Sequence, residues 1–263
     1  KYSGSSMRPL SQVLEQFQMP FAVNRADKVV TVSQSTAVAV MDTFSVSSEK
    51  VSTILLASDG LACGESAFEA LHKFGLSRSF FLFVGTLEPR KNLLNLLAAY
   101  AALPDSIRGQ MDFVIAGGKG WGGINLQETV DNLKISKYVK LLGYVDESSL
   151  ATLYDNAQFL AMPSLYEGFG LPLLEAMAYG TPVLTSNNSS MPEVAGDAGI
   201  YVDAVDVSSI KDGLSQMIRN DELRMKLAKN ARINVKSYSW ERSVGQLIDV
   251  FSEVVSNKRL NAS

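Results

Sequence analysis

From about residue 79 onward the chain alternates short apolar runs with amphipathic stretches, and that alternation constrains the fold more than any other feature. The runs "FFLFVG" (80–85), "DFVIAG" (112–117), "VKLLGY" (139–144), "AQFLAMP" (157–163), "PVLTS" (182–186) and "GIYVD" (199–203) are strand candidates. Strands apolar on both faces are covered by helices on each side, so the expected sheet is parallel and fed by βα units. Helices are expected between them near 91–102, 124–134, 147–155, 171–179 and 207–219, with a long helical tail from 221 broken around "SYSW". The fold class is therefore α/β, a Rossmann-like parallel sheet with helices on both faces.

The first 58 residues read differently. "ADKVVTVS" is a strand, Ser33 an N-cap for the helix "QSTAVAVMDTF", and "KVSTILL" a further strand. That is one βαβ unit, with too few neighbours to close a sheet of its own. "ASDGLACGES", rich in Gly and Ser, reads as a linker or hinge. The expected division is 1–58 as the remnant of an N-terminal domain, 59–78 as linker, 79–238 as the main domain and 239–263 as a C-terminal helix. The opening "KYSGSSMRPL" lacks an initiator Met and a signal-like apolar core, so the chain is expected to begin inside a longer parent.

Composition removes several classes of function. Lys and Arg total 24 against 27 Asp and Glu, giving a net charge of -3, so no global basic field invites nucleic acid. Cys63 is the only cysteine and His72 the only histidine. An intrachain disulfide and a multi-thiolate metal site are excluded, and no metal site is expected, since "FEALHKFGL" around His72 reads as an ordinary helix end. The longest apolar runs fall far short of the roughly 20 residues that a membrane-spanning helix needs.

Four stretches carry chemistry. In "MPSLYEGFGLPLLEAMAYGTPVLTS" a strand ends near Pro163, Gly168 and Gly170 allow a sharp turn, and Pro172 suits a first helical turn, so a helix starts near Leu171. Its free N–H groups and positive dipole end favour an anion at the carboxyl edge of the sheet. Glu167 lies in the loop at the mouth of such a site and Glu175 about one turn into the helix, so the two can face opposite ends of one ligand. Glu175 sits between "LPLL" and "AMA", where a charge is costly without a partner; a solvent-facing role for both carboxylates is the alternative.

In "FLFVGTLEPRKNLLNLLAAY" a strand opens at Gly85, and Arg90 and Lys91 fall at the start of the next helix, where cations oppose the dipole. An anion there resolves the conflict, and a diphosphate fits a lysine point charge beside an arginine fork; two solvated cations are the plain alternative. "FVIAGGKGWGG", which includes Gly117, lacks G-x-G-x-x-G spacing and fits a loop that a phosphate or sugar approaches closely. In "LLGYVDESSLATLYDNA" a strand ends at Gly143 and Tyr144 and a helix begins near Glu147; Val145 is placed to contact a flat base, whereas Tyr144 is expected in the core.

Together these stretches, with "RADKVVTVS" before the hinge and the late "SWE", resemble the donor half of the retaining GT-B glycosyltransferases of family 4, over about residues 23–255. "GTLEPRKN" looks most like the mannosyltransferases that use GDP-mannose. The resemblance implies a GT-B fold whose N-terminal acceptor domain is mostly missing, and retaining transfer of a hexose from a nucleotide sugar, without a metal or other cofactor, to a saccharide or lipid-linked saccharide. It implies Glu167 on the donor sugar and reacting centre and Glu175 on the ribose hydroxyls. Lys91 is implied on the diphosphate, and the amides of Phe169, Gly170 and Leu171 on sugar and phosphate. Val145 is implied beside the base, with Gly85, Thr86 and Gly117 lining the donor. Many members carry an arginine where this sequence has Thr86, and Arg90 is expected to compensate. The expected location is cytoplasmic, at the inner face of the membrane, with peripheral association through the missing domain. The alternatives are a nucleotide-sugar-binding fragment or subunit inactive without a separate acceptor domain, and an epimerase of nucleotide sugars.

Overall fold

A computed structural model describes residues 18–60, 71–120, 123 and 125–260. Cys63 and half of the linker expected at 59–78, residues 61–70, lie outside the described residues. The chain forms two compact units, with boundaries after Ala57 and after Ser237.

In the first unit, β1 (Val29–Thr31) pairs in parallel with β2 (Val51–Thr53), with α1 (Gln34–Phe44) between them in the chain. Ser33 accepts a hydrogen bond from the Thr36 amide, which satisfies one of the helix's orphan donors and fixes its start. The C-terminal helix, Trp240–Leu260, belongs to the same unit: Ser243 Oγ donates to the Leu55 carbonyl, and Lys28 and Lys258 pair with Glu253 and Asp27 at 2.9 and 2.7 Å. No helix among the described residues is long and apolar enough to cross a membrane.

The second unit is built on β3 (Phe80–Val84), β4 (Asp112–Ala116), β5 (Val139–Gly143), β6 (Leu160–Met162), β7 (Val183–Ser186) and β8 (Gly199–Val202). All pairings are parallel and the order is β5-β4-β3-β6-β7-β8. β3 and β4 are buried at every position, as strands covered on both faces must be. Phe81 stacks between Phe113 and Phe159 at ring distances of 4.5 and 4.9 Å, which fills the centre of the sheet. Helices α2 (Leu93–Ala101), α3 (Asp105–Arg108), α4 (Leu126–Asn132), α5 (Glu147–Asn156), α6 (Leu171–Ala178), α7 (Met191–Ala195), α8 (Val207–Arg219) and α9 (Asp221–Asn234) connect or follow the strands. The C-terminal helix, α10, completes the described elements.

All six expected strands form, and α8 spans the expected 207–219. The short helices α3 and α7 have too few residues to show a period in sequence. The strand order reverses between β3 and β6, which lie side by side, Leu82 against Leu160, although these two residues are 78 positions apart along the chain (160 − 82). Such a reversal leaves a crevice beyond the carboxyl ends of the two strands, the usual ligand position in open α/β sheets.

Candidate functional site

The chain segments leaving β3 and β6 supply the charged side chains of that crevice. After β3, Pro89–Lys91 forms a single 3₁₀ turn, and Asn92, in the left-handed region at φ 62°, begins α2. Arg90 and Lys91 thus precede the helix instead of occupying its first turn, because Pro89 nucleates a tight turn that Asn92 terminates. Asn92 is buried and its amide donates to the carbonyls of Pro163 and Ala204 at 2.9 and 2.7 Å, fastening this turn to the end of β6. The Leu165 amide donates to the Arg90 carbonyl at 2.8 Å and closes the junction.

Glu167 is 6% exposed, and its charge is met from two sides. Lys91 Nζ lies 2.7 Å from Oε1, which also accepts from Ser164 Oγ at 3.0 Å; Arg90 reaches Oε2 at 2.6 Å. Arg90 in turn holds Glu88 at 2.9 Å. The conflict of two cations near a helix start is therefore resolved internally by Glu167, 77 positions beyond Arg90. Burial works to lower the Arg90 pKa, but the carboxylates of Glu167 and Glu88 outweigh it and hold the guanidinium above its ordinary value.

The loop that carries Glu167 is clamped by the end of β7. Ser189 Oγ accepts from the Glu167 amide at 3.1 Å, and the buried Ser190 Oγ lies 3.0 and 2.8 Å from the carbonyls of Glu167 and Phe169. Phe169 is buried and Leu171 half-exposed at the head of α6. Gly170 adopts φ 102° and ψ 47°, a conformation for which glycine is suited, and turns the chain into that helix. The first N–H groups of α6 have no acceptor within the helix.

The ends of β3, β4 and β5 present backbone. The Gly85 amide donates to Ala116, and the Gly117 amide to Gly143, at 3.1 and 2.8 Å. A Cβ on Gly117 would sit 2.0 Å from the Gly85 carbonyl oxygen, so strand packing itself requires glycine at this position. Beyond these ends opens a cleft of about 770 Å³, walled by residues that include Leu87, Gly117, Lys119, Gln127, Leu141 and Tyr144. Tyr144 is 83% exposed and stands in this wall, not in the core: Gly143, at φ 68°, turns the chain out of β5 before it. Val145 follows half-buried, Thr86 is exposed, and neither is part of the wall.

Glu175 has a different setting. It is half-buried on α6 and accepts a hydrogen bond at 2.8 Å from the hydroxyl of Tyr154 on α5. Burial, and then the Glu175 carboxylate, push the Tyr154 hydroxyl well above its usual pKa, so it stays protonated and donates. The partner that the apolar flanks of Glu175 demanded is thus a neutral donor.

The model described as "Glycosyl transferases group 1" matches residues 68–234, more than half of the chain. The chain belongs to that family. This group 1 glycosyltransferase is 34% identical over 234 residues to the O-antigen chain mannosyltransferase B of Escherichia coli, covering 88% of this chain and 61% of that protein. It therefore spans less than two thirds of that curated relative's length. Its fold is similar to sucrose-phosphate synthase from Thermosynechococcus elongatus, with a TM-score of 0.80 at 22% identity over 98% of this chain and 65% of the other. Anabaena HepE, solved in complex with UDP-glucose, gives a TM-score of 0.80 at 19% identity over 92% and 68%. At these identities the likeness is one of fold, and it is the GT-B likeness expected from the sequence.

Ser164, Ser189, Ser190, Asn92 and Tyr154 hold the site together but were not singled out by sequence reasoning. One signal was available for Ser189 and Ser190: "SNNSS" follows the strand next in order after β6, and consecutive βα units usually place such segments side by side.

Proposed function

We propose that this group 1 glycosyltransferase chain carries the donor half of a retaining hexosyltransferase, one that moves mannose from GDP-mannose to a saccharide or lipid-linked saccharide. The observation that carries the reading is the cluster of Lys91, Arg90 and Glu167 at the point where the strand order reverses. A buried lysine and a fork-shaped guanidinium beside a helix N-terminus suit a diphosphate, and they suit it best as negative charge grows on the leaving group. These cations supply the charge stabilisation for which other transferases use a metal. Lys91 and Arg90 take the diphosphate and Glu167, once released from them, the sugar. The backbone from Phe169 to Leu171 lies along both. Glu175 accepts from the ribose hydroxyls, and Gly85, Thr86, Gly117 and Val145 border the nucleotide with the adjoining cleft. The similarity to an O-antigen mannosyltransferase supports mannose as the sugar. A lipid-linked acceptor places the reaction in the cytoplasm at the inner membrane face, and acceptor recognition is assigned to the part of the protein outside this chain.

Calorimetric titration with GDP-mannose, GDP and UDP-glucose tests this, with Glu175→Ala beside the wild type. Micromolar binding of GDP-mannose that weakens in the variant is expected. UDP-glucose is the competing donor because a structural neighbour holds it, and a preference for it would overturn the sugar assignment. A second reading, a nucleotide-sugar-binding module without turnover, draws on the 61% coverage of the mannosyltransferase. Donor binding without transfer when acceptor glycans are added would favour it.

A further inference from the structure

We infer that Tyr154 is the positioning residue for the ribose-binding carboxylate, its hydroxyl holding one oxygen of Glu175 so that the other is presented to the ribose hydroxyls of the nucleotide. The inference rests on the donor reading above.

Tyr154 is fully buried on α5, and its hydroxyl donates to Glu175 Oε2 at 2.8 Å. The residue is held at more than one point: its carbonyl accepts from the buried Thr181 hydroxyl at 2.6 Å, and its ring stacks on Tyr179 at 6.1 Å between centroids. Glu175 is flanked on α6 by Leu173, Leu174, Ala176 and Met177, all buried. Among the described residues no other donor is recorded at that carboxylate. A glutamate side chain is free to rotate about several bonds, and one fixed oxygen removes most of that freedom before a ligand arrives. The donor is neutral, so the carboxylate keeps its full charge and its second oxygen remains a strong acceptor for paired hydroxyls. A cation in that place would have spent the charge, as Lys91 and Arg90 do at Glu167.

The test compares GDP with 2′,3′-dideoxy-GDP, which lacks the hydroxyls, by calorimetry on the wild-type chain, Tyr154→Phe and Glu175→Gln. Tyr154→Phe is expected to weaken GDP about five- to tenfold and the dideoxy nucleotide less than about twofold, and Glu175→Gln to show the same selectivity. A packing role for Tyr154 would weaken both nucleotides alike, and that result, or no effect on either, overturns the inference while leaving the role of Glu175 intact. If Glu175→Gln leaves GDP unchanged, or the wild type binds neither nucleotide, the donor reading falls and the inference with it. Should Tyr154→Phe not fold, Tyr154→Met likewise removes the hydroxyl and leaves Glu175 in place, and an equal loss for both nucleotides in that variant overturns the inference.

Discussion

The two carboxylates of the α6 region sit eight residues apart and live in opposite environments. Glu167 is buried in a loop and bound by Lys91, Arg90 and Ser164, whereas Glu175 is half-buried on a helix and bound by one tyrosine hydroxyl. The same side chain is thus a counter-ion to two cations in one place and an acceptor from a neutral hydroxyl in the other. What differs is what converges on each: the reversal of strand order brings two cations to Glu167, and the packing of α5 beside α6 brings a neutral ring to Glu175. A carboxylate's function here is read from its partners, not from its position in a motif.

The largest effect is expected from breaking the ion pair. Lys91→Ala leaves Glu167 in its buried loop with one of its two cations, Arg90, and the Ser164 hydroxyl, and an underpaired buried charge costs about 3 kcal/mol. Urea unfolding should register that loss, and the double variant Lys91→Met with Glu167→Leu should lose less than Lys91→Ala alone. Additive losses would show that the pair contributes no coupling and that the burial of Glu167 is sustained by its serine contacts.

Next in size is the turn that carries one carboxylate's loop into the other's helix. Gly170→Ala forces a side chain into φ 102°, with its Cβ 2.7 Å from Met191 Cε. The methionine end can move but the backbone strain cannot, so a loss of about 2 kcal/mol is expected in the same unfolding assay. No loss would mean that the turn relaxes and that glycine is there for the ligand's approach alone.

How much of this was legible in the sequence follows the same division between local and distant causes. Strand positions could be read because both-face burial writes itself into consecutive residues, as in Phe80–Val84. The start of α6 could be read because Gly170 and Pro172 punctuate the chain locally. That Glu175 needs a partner was visible in its apolar flanks, but Tyr154 is 21 positions away and only packing brings it near. Arg90 and Lys91 signalled the need for an anion, expected there as a diphosphate, while Glu167 as their counter-ion depends on β3 lying beside β6. Tyr144 misled because aromatic content predicts burial, and the positive φ of Gly143 that carries it outward is not encoded in the tyrosine.

On the proposed donor reading, Glu167 competes with the incoming diphosphate for Lys91 and Arg90. Glu167→Gln removes that competitor and is expected to tighten GDP about tenfold, roughly 1.4 kcal/mol, even as transfer from GDP-mannose is lost. Calorimetry and a turnover assay on the same preparation separate the two. Weaker GDP binding in the variant would mean that Glu167 organises the cations for the ligand and does not hold them from it.

The smallest effect is expected at the second carboxylate. Glu175→Gln keeps an oxygen to accept from the Tyr154 hydroxyl, and the side chain is half-exposed to water, so no buried charge is left unpaired. Its stability in urea should stay within about 0.5 kcal/mol of the wild type, although its affinity for a ribose-bearing ligand drops. A loss as large as that of Lys91→Ala would erase the distinction between the two carboxylates. It would make Glu175 a structural charge whose ionised form the helix pair needs, and the tyrosine hydrogen bond the means of holding α5 to α6.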